Sequence, residues 1–326
     1  MKKKKINIHF SANLVDKKIV EFLSKEFEII IVNITKEEIK NSILDVKSKL
    51  KTIDLIIFTG GEDVNPNYYH EQIGKFTHIN NERDELEFEF LYNLKLCKII
   101  ENIPKLGICR GAQLLTIYNN GKLIQHVTGH NNDNQIIEYF IDRNVIKTIE
   151  ITSDHHQMMF PYHLLENKYE LIGWSKNFQS NTYLNGENKE ITLPSNFLEP
   201  EIIYYPYKNS LCIQSHPEWC IGSEGSDFCL ELINQYLLEK KSEKLKNENL
   251  ILEYDPFIVN PLTSNEILES VNNSKSITET LNEGQAHFTF LKPTVTYSNK
   301  FEKIENLSEN KSENLFNISE LFENEL

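Results

Sequence analysis

The stretch IPKLGICRGAQLLTIYNNGKLIQ, residues 103–125, sets one cysteine between a short run that reads as a buried strand and a run that reads as a helix. The apolar residues before Cys109 are nearly continuous, whereas those in AQLLTIY recur at helical spacing and stop at Asn120-Gly121, a common helix end. Gly107 and Gly111 flank the cysteine as G-x-C-x-G. Glycines so placed permit a strained strand-to-helix turn and close approach of neighbouring backbone, the cysteine counterpart of a nucleophile elbow. A thiol is a poor nucleophile until it ionises, and a helix N-terminus together with an imidazolium favours the thiolate. A buried structural cysteine at a strand end is the bland alternative, so the rest of the chain must supply the partners.

Working outward, strand-like runs precede the cysteine in KINIHF, FEIIIVNI and IDLIIFTGG and follow it in VIKTIEIT, YELIGWS, EIIYYP and SLCIQSHPE. Between the third run and the cysteine, NERDELEFEFLYNLKLCKIIEN carries apolar residues at helical spacing. DFCLELINQYLLEKKSEKL reads as another amphipathic helix, to about residue 246. Strands alternating with helices predict an α/β layered sheet. The run CIQSHPEW puts His216 and Glu218 two residues apart at a strand-like end, able to project to one side as base and orienting carboxylate. IIFTGG runs into Gly60-Gly61, whose backbone N–H groups suit an oxyanion hole.

Composition bounds the function. The chain has 326 residues, of which 40% are hydrophobic, enough for a sizeable core. A net charge of -14 argues against binding nucleic acid or an anionic membrane, which need clustered positive surface. The basic run at residues 2–5 leads into a strand pattern rather than a signal peptide, and no apolar run approaches the roughly 20 residues of a membrane helix. Five cysteines, an odd number without metal-like spacing, suit a reducing cytoplasm. From Lys241 onward 15 acidic residues face 8 lysines, and Asn, Ser and Glu dominate. The expected organisation is therefore one domain over residues 1–240 and an acidic, largely disordered or partner-docking tail over 241–326.

FTGGEDVNPNYY, RDELE, LGICRGAQLL, SDHHQ and IQSHPEW occur in the order seen in class I glutamine amidotransferase-like proteins, and together they resemble most the gamma-glutamyl hydrolase branch over residues 5 to 240. The resemblance implies a mostly parallel open sheet, of about seven strands, flanked by helices on both faces in flavodoxin-like layering. It also implies a Cys109-His216-Glu218 triad that forms a gamma-glutamyl thioester, and an oxyanion hole made by the backbone of Arg110 with Gly60 or Gly61. Gln113 would touch the glutamyl group. Arg83 and Asp84 would pair within a helix-start network. His155 and His156 would lie at the pocket rim with one contacting substrate; no metal is expected, because no second ligand cluster has suitable spacing. No cofactor is implied. The substrate would be a small gamma-glutamyl compound or glutamine.

Two departures bear on substrate identity rather than catalysis. Asn120-Gly121-Lys122-Leu123 stands where the family usually carries Gly-Gly-Thr/Ser-Leu, and residues 175–206 read as irregular where a compact strand pair is usual. The leading expectation is a stand-alone gamma-glutamyl hydrolase. The alternatives are a glutaminase subunit that gives ammonia to a synthetase docked on the tail and, against the intact triad set, a non-catalytic binding module.

Overall fold

The computed structural model describes residues 3–41, 43–96, 103–142 and 145–239; Cys97 and the expected tail at 241–326 lie outside them. Nine strands form one sheet: β1 (Lys4–Phe10), β2 (Phe27–Ile31), β3 (Leu55–Phe58), β4 (Lys105–Ile108), β5 (Asn131–Asp142), β6 (Val145–Asp154), β7 (Glu170–Ser175), β8 (Pro200–Tyr205) and β9 (Ser210–Ile213). Their order is β2-β1-β3-β4-β9-β8-β7-β5-β6. The first five in that order are parallel, and the remaining four continue antiparallel from β9. The α/β class is as expected, and the sheet is larger than seven strands because β5 and β6 extend it as a long hairpin. β5 is not among the strand-like runs: its opening NNDN is polar and masks the alternation that follows.

The strands of the parallel half are short and apolar, because helices cover both of their faces. On one face Ile6, Ile8, Leu55, Ile57, Leu106, Ile108, Leu211 and Ile213 pack with Ile19, Phe22 and Leu23 of α1 (Lys17–Ser24) and Cys229 and Leu230 of α6 (Glu224–Leu232). α1 starts where Asp16 accepts from the Lys18 and Ile19 amides, and α6 where Ser223 accepts from that of Ser226. α2 (Lys36–Asn41) and α3 (Ile43–Leu50) follow β2. On the opposite face lie α4 (Asn81–Leu96), whose Phe90 meets His9 edge-on at 5.2 Å, and α5 (Arg110–Tyr118), buried along its whole length. α6 continues as a π-helical segment, Ile233–Glu239, and the rest of the helix expected to about residue 246 lies outside the described residues. Among the described residues no helix is long and apolar enough to cross a membrane.

The two glycines beside Cys109 set how deeply α5 sits. A Cβ on Gly107 would lie 2.4 Å from the Gly111 carbonyl oxygen, and one on Gly111 would lie 2.0 Å from that of Phe58 in β3. Helix and sheet backbones therefore meet with no side chain between them. Because both clashes are with backbone, Gly111→Ala should cost at least the roughly 1–3 kcal/mol typical of overpacking, read as a lower midpoint in urea unfolding. An unchanged midpoint would contradict this close approach.

Candidate active site

Cys109 is the hinge between β4 and α5, with φ 51 and ψ -110. An L-residue seldom occupies that region, at a cost of about 1–3 kcal/mol that the surroundings must offset. Its amide donates to the Ile213 carbonyl at 2.9 Å, extending the β4–β9 pairing by one step, and its own carbonyl accepts from Ala112 and Gln113 as the helix begins. The thiol points to the Asp154 carbonyl, 3.8 Å away at the end of β6.

His216 follows β9, the strand next to β4, so chain order places it beside the elbow. Its amide donates to the Thr152 carbonyl at 2.9 Å, and its Nδ1 bonds Glu218 Oε1 at 2.7 Å, which leaves Nε2 for the cysteine side. A Cβ on Gly60 would lie 3.1 Å from His216 Cε1 and 3.7 Å from Cys109 Cβ, so all three meet at one point. Trp219 stacks on the imidazole at 3.8 Å with planes 8° apart. Burial works against the imidazolium, yet hydrogen bonds and charge from Cys109 and Glu218 outweigh it and lift His216 to about 10. The ring is therefore a proton donor at neutral pH.

Beneath these groups lies a buried ionic network. The Arg110 guanidinium is held by Asp84 and Glu87 of α4, and its Nε donates to the Glu62 carbonyl at 3.1 Å. Asp84 also accepts from the Asn65 amide at 2.9 Å. Arg83 does not pair with Asp84, contrary to the sequence reading. Neighbours on a helix point apart, and Arg83 instead donates to the Gly60 carbonyl at 2.9 Å and to the Thr59 carbonyl at 2.9 Å. With those carbonyls held on the arginine side, Gly61 adopts φ 143 and has no room for a side chain against Arg83. The Arg110 amide opens α5, where N–H groups have no intrahelical acceptor.

The other expected residues fall into two groups. His156 is at the rim: it pairs with Asp63 at 3.0 Å, its side chain is 40% exposed, and that hydrogen bond raises its pKa. His126, stacked on Phe76 at 3.9 Å, lies 5.8 Å away ring to ring. Gln113 is buried and donates from Nε2 to the Gln157 carbonyl at 3.1 Å and weakly to Gln214. His155 is not at the rim, which corrects the sequence expectation. Alternation along the chain turns it inward as His156 turns outward, and its Nδ1 donates to the Gln157 carbonyl at 2.7 Å. The absence of a second ligand cluster is also corrected, since His130 and Glu201 fold against His155. The departure at Asn120 has a local reason: φ is 64 there, a left-handed value that asparagine tolerates better than most residues.

The Peptidase C26 family matches residues 6–167, which include Cys109 and stop short of His216 and Glu218. A glutamine amidotransferase-like protein of Rickettsia prowazekii, RP404, is 41% identical over 85 residues, 25% of this chain and 28% of that one. The YvdE glutamine amidotransferase-like protein of Lactococcus lactis is 38% identical over 85 residues, 26% of this chain and 34% of its own. The matched stretches thus span about a third or less of these curated relatives. Among solved structures, a glutamine amidotransferase from Thermotoga maritima aligns with a TM-score of 0.39 and 14% identity, over 77% of this chain and 87% of the other. By family match and curated relatives, the chain is similar to class I glutamine amidotransferase-like proteins over its N-terminal half.

Proposed function

We propose that this protein is a cysteine hydrolase that cleaves gamma-glutamyl amide bonds of small molecules through a thioester on Cys109. The observation that carries the reading is the meeting of the strained Cys109, the glycine loop at Gly60 and a His216 ring fixed by Glu218 at 2.7 Å. The Cys109 sulfur attacks the gamma-glutamyl carbonyl, and the carbonyl π pair moves onto oxygen. The Arg110 amide and one from Gly60 or Gly61 receive that oxyanion. As the tetrahedral species collapses, the C–N bond breaks and His216 Nε2 gives its proton to the departing amine. Water, deprotonated by His216, then attacks the thioester. Glutamate leaves and the thiol is restored.

Thiol, imidazole, carboxylate and water supply every proton and electron pair, so the reaction needs no cofactor. Gln113, with its amide nitrogen committed inward, is read as offering its oxygen to the glutamyl amine, and His156 as meeting the part of the substrate that departs. The four described cysteines are free thiols, in keeping with a reducing, cytoplasmic setting. The proposed docking of a synthetase on residues 241–326 lies outside the described residues.

The direct test is glutamate release by the purified chain from glutamine and from a panel of gamma-glutamyl amides. Cys109→Ala should abolish release, and an electrophilic glutamine mimic should modify Cys109 alone among the five cysteines by mass mapping. Turnover by the alanine variant near the parent rate would end this reading. The pH profile tests His216. Its pKa is raised to about 10, so proton donation to the amine is intact well below that value and fades as pH rises through it. Glu218→Gln removes one source of that elevation, and the alkaline limb should move to lower pH. A limb that stays put would deny Glu218 this role. Arg83→Ala frees the Thr59 and Gly60 carbonyls, and kcat should fall by about 10- to 10³-fold, up to the loss of a whole oxyanion donor. KM should change less, and far-ultraviolet circular dichroism should show the fold retained.

A further inference from the structure

Behind the active site, Glu199 and Glu201 are both buried, and among the described residues no Lys or Arg forms an ion pair with either. The bases beside them are His130 and His155, themselves buried. Two buried carboxylates need compensating positive charge, and a protonated His130, raised to about 9 by both of them against its own burial, supplies one charge for the two. Glu199 is partly served by neutral donors, the Gln179 and Ser180 amides and the Tyr183 hydroxyl. Glu201 is less completely served: Oε1 accepts from Gln135 at 2.7 Å and contacts His130 Nδ1 at 3.1 Å, while Oε2 has no hydrogen-bond partner.

His155 sharpens the point. Because its Nδ1 faces the Gln157 carbonyl, which can only accept, the ring proton sits on Nδ1. The neutral ring's lone pair on Nε2 then faces Glu201 Oε1 at 3.5 Å, and that nitrogen has no hydrogen-bond partner either. Two acceptors aimed at each other in a buried space call for a cation between them. His130, His155 and Glu201 each offer a donor atom, all within 4.8 Å of one another.

We propose that His130, His155 and Glu201 form a binding site for one divalent transition ion of the zinc type, with a water molecule as fourth ligand. Two imidazoles and a carboxylate suit zinc-like ions better than magnesium or calcium, which favour oxygen-only shells. Ligands about 2.0–2.1 Å from a tetrahedral ion stand about 3.3 Å apart, close to the 3.1 Å and 3.5 Å separations to Glu201 Oε1. The outer contacts also fit: ligating histidines usually donate their other nitrogen to a carbonyl, and ligating carboxylates are themselves hydrogen-bonded. His155 does the first and Glu201 the second, through Gln135 and Ser175. One divalent ion would also balance the two carboxylates. The three ligands are buried away from solvent, so the work of the ion is structural: it ties together the residue before β5, the turn after β6 and strand β8. That turn begins at Asp154, whose carbonyl faces the Cys109 thiol. The inference is independent of the proposed substrate.

The test uses the full chain, purified without a histidine tag or chelator. Elemental analysis after dialysis should find one equivalent of zinc-type metal in the parent and in Cys109→Ser, and a loss to background in His155→Ala and Glu201→Gln. Should those variants fail to fold, the parent alone decides. After metal stripping, Co²⁺ should bind one to one with visible d–d bands and no thiolate charge-transfer band, and Zn²⁺ should raise Tm. A folded parent that is metal-free, gives no cobalt spectrum and shows no Zn²⁺-dependent Tm would overturn the proposal. Metal that is lost in Cys109→Ser with a thiolate charge-transfer signature would overturn it too, by placing the ion at the catalytic cysteine.

Discussion

The Arg110 guanidinium, buried between Asp84 and Glu87, is the constraint from which the site follows. Removing one partner of such a buried group typically costs about 3–5 kcal/mol, because the remaining charge is stranded without water. That penalty fixes α4 against the first turn of α5, which carries Cys109, the proposed nucleophile, at its N-terminal end. Arg83, one residue along α4, comes within 3.5 Å of the same Glu87 carboxylate and donates to the carbonyls of Thr59 and Gly60. A single turn of α4 therefore sets both the position of Cys109 and the orientation of the Thr59-Gly60 loop proposed to hold the oxyanion.

Strand order supplies the second half of the site. β9 is the seam at which parallel pairing gives way to antiparallel pairing, since it runs parallel to β4 and antiparallel to β8. Cys109 leaves β4 beside this seam and His216 leaves β9 itself, although 106 residues of chain lie between them. The antiparallel half then contributes backbone rather than side chains: the Thr152 carbonyl holds the His216 amide, and the Asp154 carbonyl faces the thiol. β4 and β9 lead into Cys109 and His216, and β6 gives the wall that keeps them in register.

What can be read from the sequence is what local chain geometry dictates. Cys109 between two glycines, His216 two residues before Glu218, and a strand ending in Gly60-Gly61 each announce themselves within a few residues. What cannot be read depends on which strands become neighbours. The pairing of Arg110 with Asp84 and Glu87 joins two helices about 25 residues apart, and nothing in RDELE says which arginine it will meet. His155 and His156 differ only in which way alternation turns them, and that is fixed by the end of β6. The Glu201 carboxylate meets His130 and His155 because β8 lies beyond β9 in the sheet, an order invisible to spacing along the chain. β5 escapes notice for a simpler reason, its polar first residues.

The backbone angles at Cys109 have a consequence for how this chain can change over time. A glycine at position 109 would relieve the unfavourable conformation at once, because it alone adopts such angles freely. Stability and reactivity thus pull this one position in opposite directions. Selection for robustness alone would drift toward losing the thiol, while the surrounding contacts, built to impose that conformation, would persist as a fossil of the lost chemistry. A descendant with an intact Arg110 network and an empty elbow would be the expected trace of such a history.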